Sequence, residues 1–178
     1  MAYTIKYHES GIMPIANTDS GVTFPNASSA APTPPMSLGM IVRASDPIYG
    51  QGEFIFLPGV ANTAVGSIVT YNTTSYTTAL AAVGTYKAQP IAIAMSANTS
   101  ASTWGWYQIS GLAVVKKSCL VSLAANAAVG VLTTGLIAGT GSGKEIQGAL
   151  VAAVASAAAG RTSVTVVINR PHMQGRVT

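Results

Sequence analysis

Apolar and polar residues alternate along much of this chain, and no long stretch repeats its apolar positions at helical spacing. The first alternation comes at once, with Tyr3, Ile5 and Tyr7 separated by Thr4, Lys6 and His8. A polar segment punctuated by proline follows from Gly11 and ends Ala31-Pro32-Thr33-Pro34-Pro35. Proline fixes φ and removes a backbone donor, so this segment is expected to be extended rather than helical. From Met36 the pattern becomes a series of short strands. They are predicted at Leu38 to Val42, Glu53 to Leu57, Ala64 to Tyr71, Tyr76 to Ala81 and Ile91 to Met95. Turns are expected at Ser45-Asp46-Pro47, Tyr49-Gly50-Gln51-Gly52 and Asn72 to Ser75. In Ile91-Ala92-Ile93-Ala94-Met95, Ile91, Ile93 and Met95 fall on one face.

The stretch Trp104-Gly105-Trp106-Tyr107-Gln108-Ile109-Ser110-Gly111 holds both tryptophans of the protein. It is expected to be a central strand, ended by Gly111 and followed by a further strand from Leu112 to Lys116. Short strands follow at Leu120 to Ser122 and Val129 to Leu132, then a glycine-rich loop within Leu136 to Gly143. Ile146 to Ala155 suits a strand or a helix, and Gly148, Val151 and Val154 tilt it towards strand. Val164 to Asn169 is the clearest strand, with Pro171 at its end. Strands with turn signals every 8–12 residues or so predict a mainly β fold, a small antiparallel β-barrel or β-sandwich. The expected organisation is an extended N-terminal arm over residues 1–35 and a β-rich domain over residues 36–178.

Two groups of large side chains are candidates for contacts between subunits. The arm carries Tyr3, Ile5, Tyr7, Ile12, Ile15 and Phe24, and a free strand on an arm is suited to adding to a sheet edge of a neighbour. The central strand carries Trp104 and Trp106 on one face and Tyr107 with Ile109 on the other. Its rings are either core on both faces, or core on one and anchors for a protein partner on the other. A sugar-stacking platform is a third reading, for which only Gln108 offers a nearby amide.

Composition adds one constraint. Only 8% of residues are charged, against about 25% in ordinary soluble domains. Charge is depleted where surfaces are buried by partners, so much of this surface is expected to lie against other subunits. The formal charge of +4 is spread along the chain, with Lys116-Lys117 the only adjacent pair. On a strand those two point to opposite faces, so both are expected in solvent and no nucleic-acid patch is predicted. The single cysteine, Cys119, excludes an intrachain disulfide and reads as a small buried hydrophobe. The apolar run Ala149 to Ala159 is far short of the ~20 residues that span a bilayer. No signal peptide is read at Met1, so a chain made in the cytoplasm without a membrane partner is expected.

The sequence offers little for catalysis. Gly139-Thr140-Gly141-Ser142-Gly143-Lys144-Glu145 has the composition of a phosphate loop, but Ala138 stands where its first glycine is needed. Glu145 likewise replaces the hydroxyl residue that would hold magnesium, and a plain hairpin loop is expected. His8 and His172 sit near opposite ends of the chain in polar surroundings. Glu9, Asp19, Asp46, Glu53 and Glu145 show no paired spacing for acid–base work. No catalytic residue, cofactor site or metal ligand is assigned, and no enzymatic activity is expected.

Several strand phrases together resemble the capsid decoration (cement) proteins of tailed bacteriophages. They are Tyr49 to Val60 with Thr63 to Tyr71, Ile93-Ala94-Met95-Ser96, Trp104 to Gly111, and Val166-Val167-Ile168-Asn169-Arg170-Pro171. The resemblance spans about residues 49–171; the arm and residues 140–162 carry little of it. It implies a small mainly-β protein on the outer surface of an icosahedral head. Its partners would be the major capsid protein and copies of itself, as a homotrimer that ties neighbouring capsid subunits together. A head-fibre base, or a virion module that binds host glycans, is the alternative.

Overall fold

A computed structural model describes residues 4–5, 34, 36–83, 88–118, 120–132, 135–160 and 162–175. The described residues form an antiparallel all-β structure with no helix. Its strands are β1 (Thr4–Ile5), β2 (Ile41–Asp46), β3 (Gly50–Pro58), β4 (Ile68–Tyr71), β5 (Thr78–Leu80) and β6 (Ile91–Ala94). They continue with β7 (Trp104–Lys116), β8 (Ala128–Val131), β9 (Ile137–Gly139), β10 (Glu145–Val151) and β11 (Ser163–Met173). The main path runs β1-β2-β3-β7-β11-β10-β8-β9, and β4, β5 and β6 branch from it through a β6–β7 pairing. The sheet curls into a half-barrel. One isolated bridge, Lys117 to Ile137, brings the last strand of the path back to the end of β7.

β7 is the strand the others meet. Its 13 residues pair with β3, β6 and β11. It also supplies three separate core clusters. Trp104 and Trp106 join Phe54, Phe56, Val42 and Met95. Tyr107 and Ile109 join Ile55, Leu57, Val69 and Ala94. Ala113 and Val115 join the largest cluster, with Ile68, Ile93, Val129, Ile146, Val164 and Ile168. A strand apolar on both faces has to be covered on both, and over Trp104 to Ile109 it is.

Gly111 does not end the aromatic strand but lies inside β7. Ile109 is an extra residue there, since Glu53 faces Ser110 while Phe54 faces Gln108. A β-bulge of this kind increases twist and interrupts the ladder. The buried Gln108 side chain compensates, its Nε2 donating to the carbonyls of Ser110 (3.1 Å) and Leu112 (2.9 Å). Gly111 takes φ +100°, which a side chain would resist. Pro171 likewise lies inside β11. Register jumps from Gln147–His172 to Ala149–Ile168, so Gly148 alone opposes residues 169–171. Proline needs no ladder donor at such an irregularity, and the strand runs on to Met173.

Other boundaries shift for tertiary reasons. The strand expected at Leu38 to Val42 is Ile41–Asp46, and the two turns expected after it merge into one hairpin around residues 47–49. Asp46 closes that hairpin by accepting the amides of Ile48 (2.7 Å) and Tyr49 (2.8 Å). Asn72 does the same for Thr74 and Ser75, in the turn expected there. Met95 parts from Ile91 and Ile93, packing with the tryptophans instead. Leu120 to Ser122 forms no strand.

The glycine-rich loop is not a hairpin. β9 and β10 lie on opposite sides of β8, so residues 140–144 cross it. Gly130 sits under the crossing: a Cβ there would meet Lys144 O at 2.9 Å and Gly139 O at 3.1 Å. The backbone of Lys144 serves the crossing by accepting the Val131 amide at 2.8 Å.

Candidate interaction surface

The aromatic residues proposed as anchors lie inside the fold. Trp104 is 4% exposed, Trp106 3% and Tyr107 1%. The Trp106 ring meets Phe56 edge-on, with centroids 5.3 Å apart and planes at 61°. The Tyr107 hydroxyl lies 3.2 Å from Pro58 O and 3.1 Å from the Asn98 amide, and burial pushes its phenol well above the ordinary range. Asn98 is best oriented with its amide oxygen towards the Gly59 and Gly105 amides (3.1 and 3.2 Å) and its nitrogen towards Thr103 Oγ1. This buried amide ties the 96–103 loop to the end of β3. The rings offer a partner almost no surface, and a sugar-stacking platform built on either tryptophan is excluded by the same burial. Of the arm candidates, Ile5 is described only as part of β1, whose backbone faces Ala44 and Ser45 of β2. Tyr3, Tyr7, Ile12, Ile15 and Phe24 lie outside the described residues, as do His8 and Cys119.

The described titratable groups are scattered, and no three of His, Cys, Asp and Glu come together among them to hold a metal ion. Lys117 is not in solvent, as expected from its pattern, but 2% exposed. Its ammonium donates to the carbonyls of Ser118 (3.1 Å), Val121 (2.9 Å) and Ser156 (3.3 Å). A buried charge survives only when so satisfied, and here it fastens the end of β7 to the loop that follows it and to the distant loop at Ser156. Nor is the space inside the largest core cluster, as the described residues line it, a ligand cavity. The space among Ile68, Ile93, Val115, Ile146 and Ile168 is about 10 Å³, about one water at most. No helix among the described residues is long and apolar enough to cross a membrane.

What remains is the outer face of the β7–β11–β10–β8 sheet. Residues directly opposite one another in a ladder share a face. Leu112 faces Val167, Val167 faces Leu150, and Leu150 faces Ala128. These four make an apolar row across four strands, in which Val167 and Leu150 are each 39% exposed. The opposite face of the same strands carries Ala113, Val151, Val164 and Val166 into the largest core cluster. Beside the row, Val114 faces Thr165. Val114 and Thr165 line a groove of about 310 Å³ together with Tyr49 of the hairpin, Lys117, Ala153 and Val154. Val154 is 69% exposed, and Ile48 at the hairpin tip 81%. Single exposed apolar residues are ordinary, but a contiguous set on one sheet face is a candidate interaction surface.

The next row is polar: Arg43 faces Glu53, Glu53 faces Ser110, and Ser110 faces Asn169. Arg43 Nε donates to Glu53 Oε1 at 3.1 Å. Arg170 donates to Oε2 through Nη2 at 3.0 Å and Nε at 3.3 Å. Burial pushes the Glu53 carboxyl up, but hydrogen bonds and charge from Arg170 and Arg43 outweigh it and hold the group below 4.5. A lowered native value means the unfolded state takes up protons first on acidification. The stabilisation is therefore complete above pH 4.5 and is lost as pH falls through the lowered native range. The thermal midpoint of the wild type is expected to fall more steeply below that pH than that of Glu53→Gln, measured by circular dichroism. Parallel curves would show that the cluster adds no pH-dependent stability.

The sequence signal for this surface was weak. Leu112, Leu150 and Val167 each read locally as ordinary strand residues, and only the register places them side by side.

Compared with the models of known protein families the chain matches none, and a comparison with curated proteins finds no relative.

Proposed function

We propose that this chain is a structural virion protein that binds the outer surface of a phage head and stabilises it by bridging major capsid subunits, as a trimer. The observation that carries the reading is where the decoration-protein-like phrases fall. Tyr49 to Tyr71 covers β3 and β4, Ile93 to Ser96 the end of β6, Trp104 to Gly111 most of β7, and Val166 to Pro171 most of β11. β3, β6 and β11 each pair with β7, so phrases far apart in sequence converge on one patch of sheet. Low charge and an exposed apolar sheet face support a protein that works by contact. In this reading residues 1–35 form an extended arm that reaches a neighbouring subunit.

Capsid stabilisation needs no chemistry from such a protein. Packaged DNA presses outward, and a clamp that binds only the assembled lattice stabilises that lattice by mass action. Many copies with contacts of ordinary size suffice. The test adds purified chain to heads from a phage mutant that lacks it. Sedimentation with the heads and a higher temperature of DNA release are expected, with a trimer mass in solution. A chain that stays monomeric and leaves heads unaltered overturns the proposal.

A further inference from the structure

The outer sheet face and the arginine row beside it form one surface: an apolar strip flanked by two guanidiniums. We propose that this face is the one that meets the shell, and that it takes an apolar strip of another protein with a carboxylate that reaches Arg43 and Arg170. The identity of that protein as the capsid subunit rests on the function proposed above. The choice of face rests on the rows themselves.

Charge decides between a foreign partner and a second copy. Arg43 and Arg170 share a single carboxylate, so the cluster carries a net positive charge. Both arginine side chains stay well exposed, at 64% and 63%, while Glu53 is 17% exposed between them. Glu53 engages Arg43 Nε and Arg170 Nε and Nη2; among the described residues, both Nη of Arg43 and Nη1 of Arg170 are left for a further acceptor. A planar guanidinium suits a carboxylate in two-point contact.

The chain's other described carboxylates are Asp46 and Glu145. Asp46 holds its hairpin turn, and Glu145 is bonded to Thr140 and Gln147. A second copy set face to face on this cluster brings arginines to arginines. Two copies joined through this face in a two-fold manner would also set like charges against each other. The apolar row supplies contact area, and the arginines beside it supply register.

The experiment compares the full-length wild type with Leu150→Lys, Val167→Lys and Arg170→Gln, and with Leu120→Lys as a control. Leu120 is 85% exposed in the loop after β7 and belongs to neither row. Binding to heads lacking the chain is measured by sedimentation, thermal midpoints by circular dichroism, and solution mass by light scattering. With midpoints near the wild type, each lysine variant in the row is expected to bind about tenfold or more weakly, and the control normally. Arg170→Gln is expected to weaken binding and to flatten its decline with added salt. Wild-type binding with equal binding by both row variants overturns the choice of face but leaves the function intact. Loss of the trimer in those variants overturns it as well, because it makes a second copy the occupant. Failure of the wild type to bind heads removes the function and this inference together.

Discussion

Trp106→Ala is expected to lower the stability of the domain by about 3–5 kcal/mol, the cost of removing a large aromatic from a filled core. The ring is 3% exposed and lies edge-on to Phe56, its direct neighbour across the β3–β7 ladder. Deleting it leaves a hole between two strands that cannot close without breaking their pairing. Urea unfolding should show a much lower midpoint with little change in slope. Were Trp106 chiefly an anchor for a partner, the isolated protein would unfold at the wild-type midpoint and only binding would suffer.

Gly111→Val is expected to cost about 2–6 kcal/mol, from left-handed strain and steric overlap combined. Its φ of +100° disfavours any side chain, and a Cβ would run into the Gln51 carbonyl of β3. The two causes can be separated. Gly160 has φ +79° with nothing near its would-be Cβ, so Gly160→Ala reports strain alone. Its expected cost is about 1 kcal/mol. A Gly111→Ala loss no larger than that of Gly160→Ala would mean that β3 moves aside freely and the bulge is not tightly fixed.

These residues also show what could be read in the sequence. The tryptophans sharing a face, the Asn72 turn and the strand through Val164 follow from local rules, period-two alternation and side-chain capping. Gly111 and Pro171 misled because both are ordinary strand breakers taken alone. Pairing on each side carries the strand through them, with a bulge absorbing the irregularity. Lys117 misled for a different reason. Its acceptors at Ser118 and Val121 are close in sequence, but the third, Ser156, is 39 residues away, and nothing local announces it. The apolar outer row was illegible for the same reason as the crossing over Gly130. Both are properties of register and strand order, which a single sequence does not encode at any one position.

The place of β7 in all three core clusters has a consequence for how the domain comes apart. Trp104 and Trp106 close one cluster, Tyr107 and Ile109 a second, Ala113 and Val115 the third. Each cluster thus shares one wall with the others. Melting any of them strips a face of that wall and exposes it to water, so no cluster can open as an independent unit. The described part of the domain is therefore expected to unfold in one cooperative event rather than in partial steps, with fluorescence and circular dichroism giving the same midpoint.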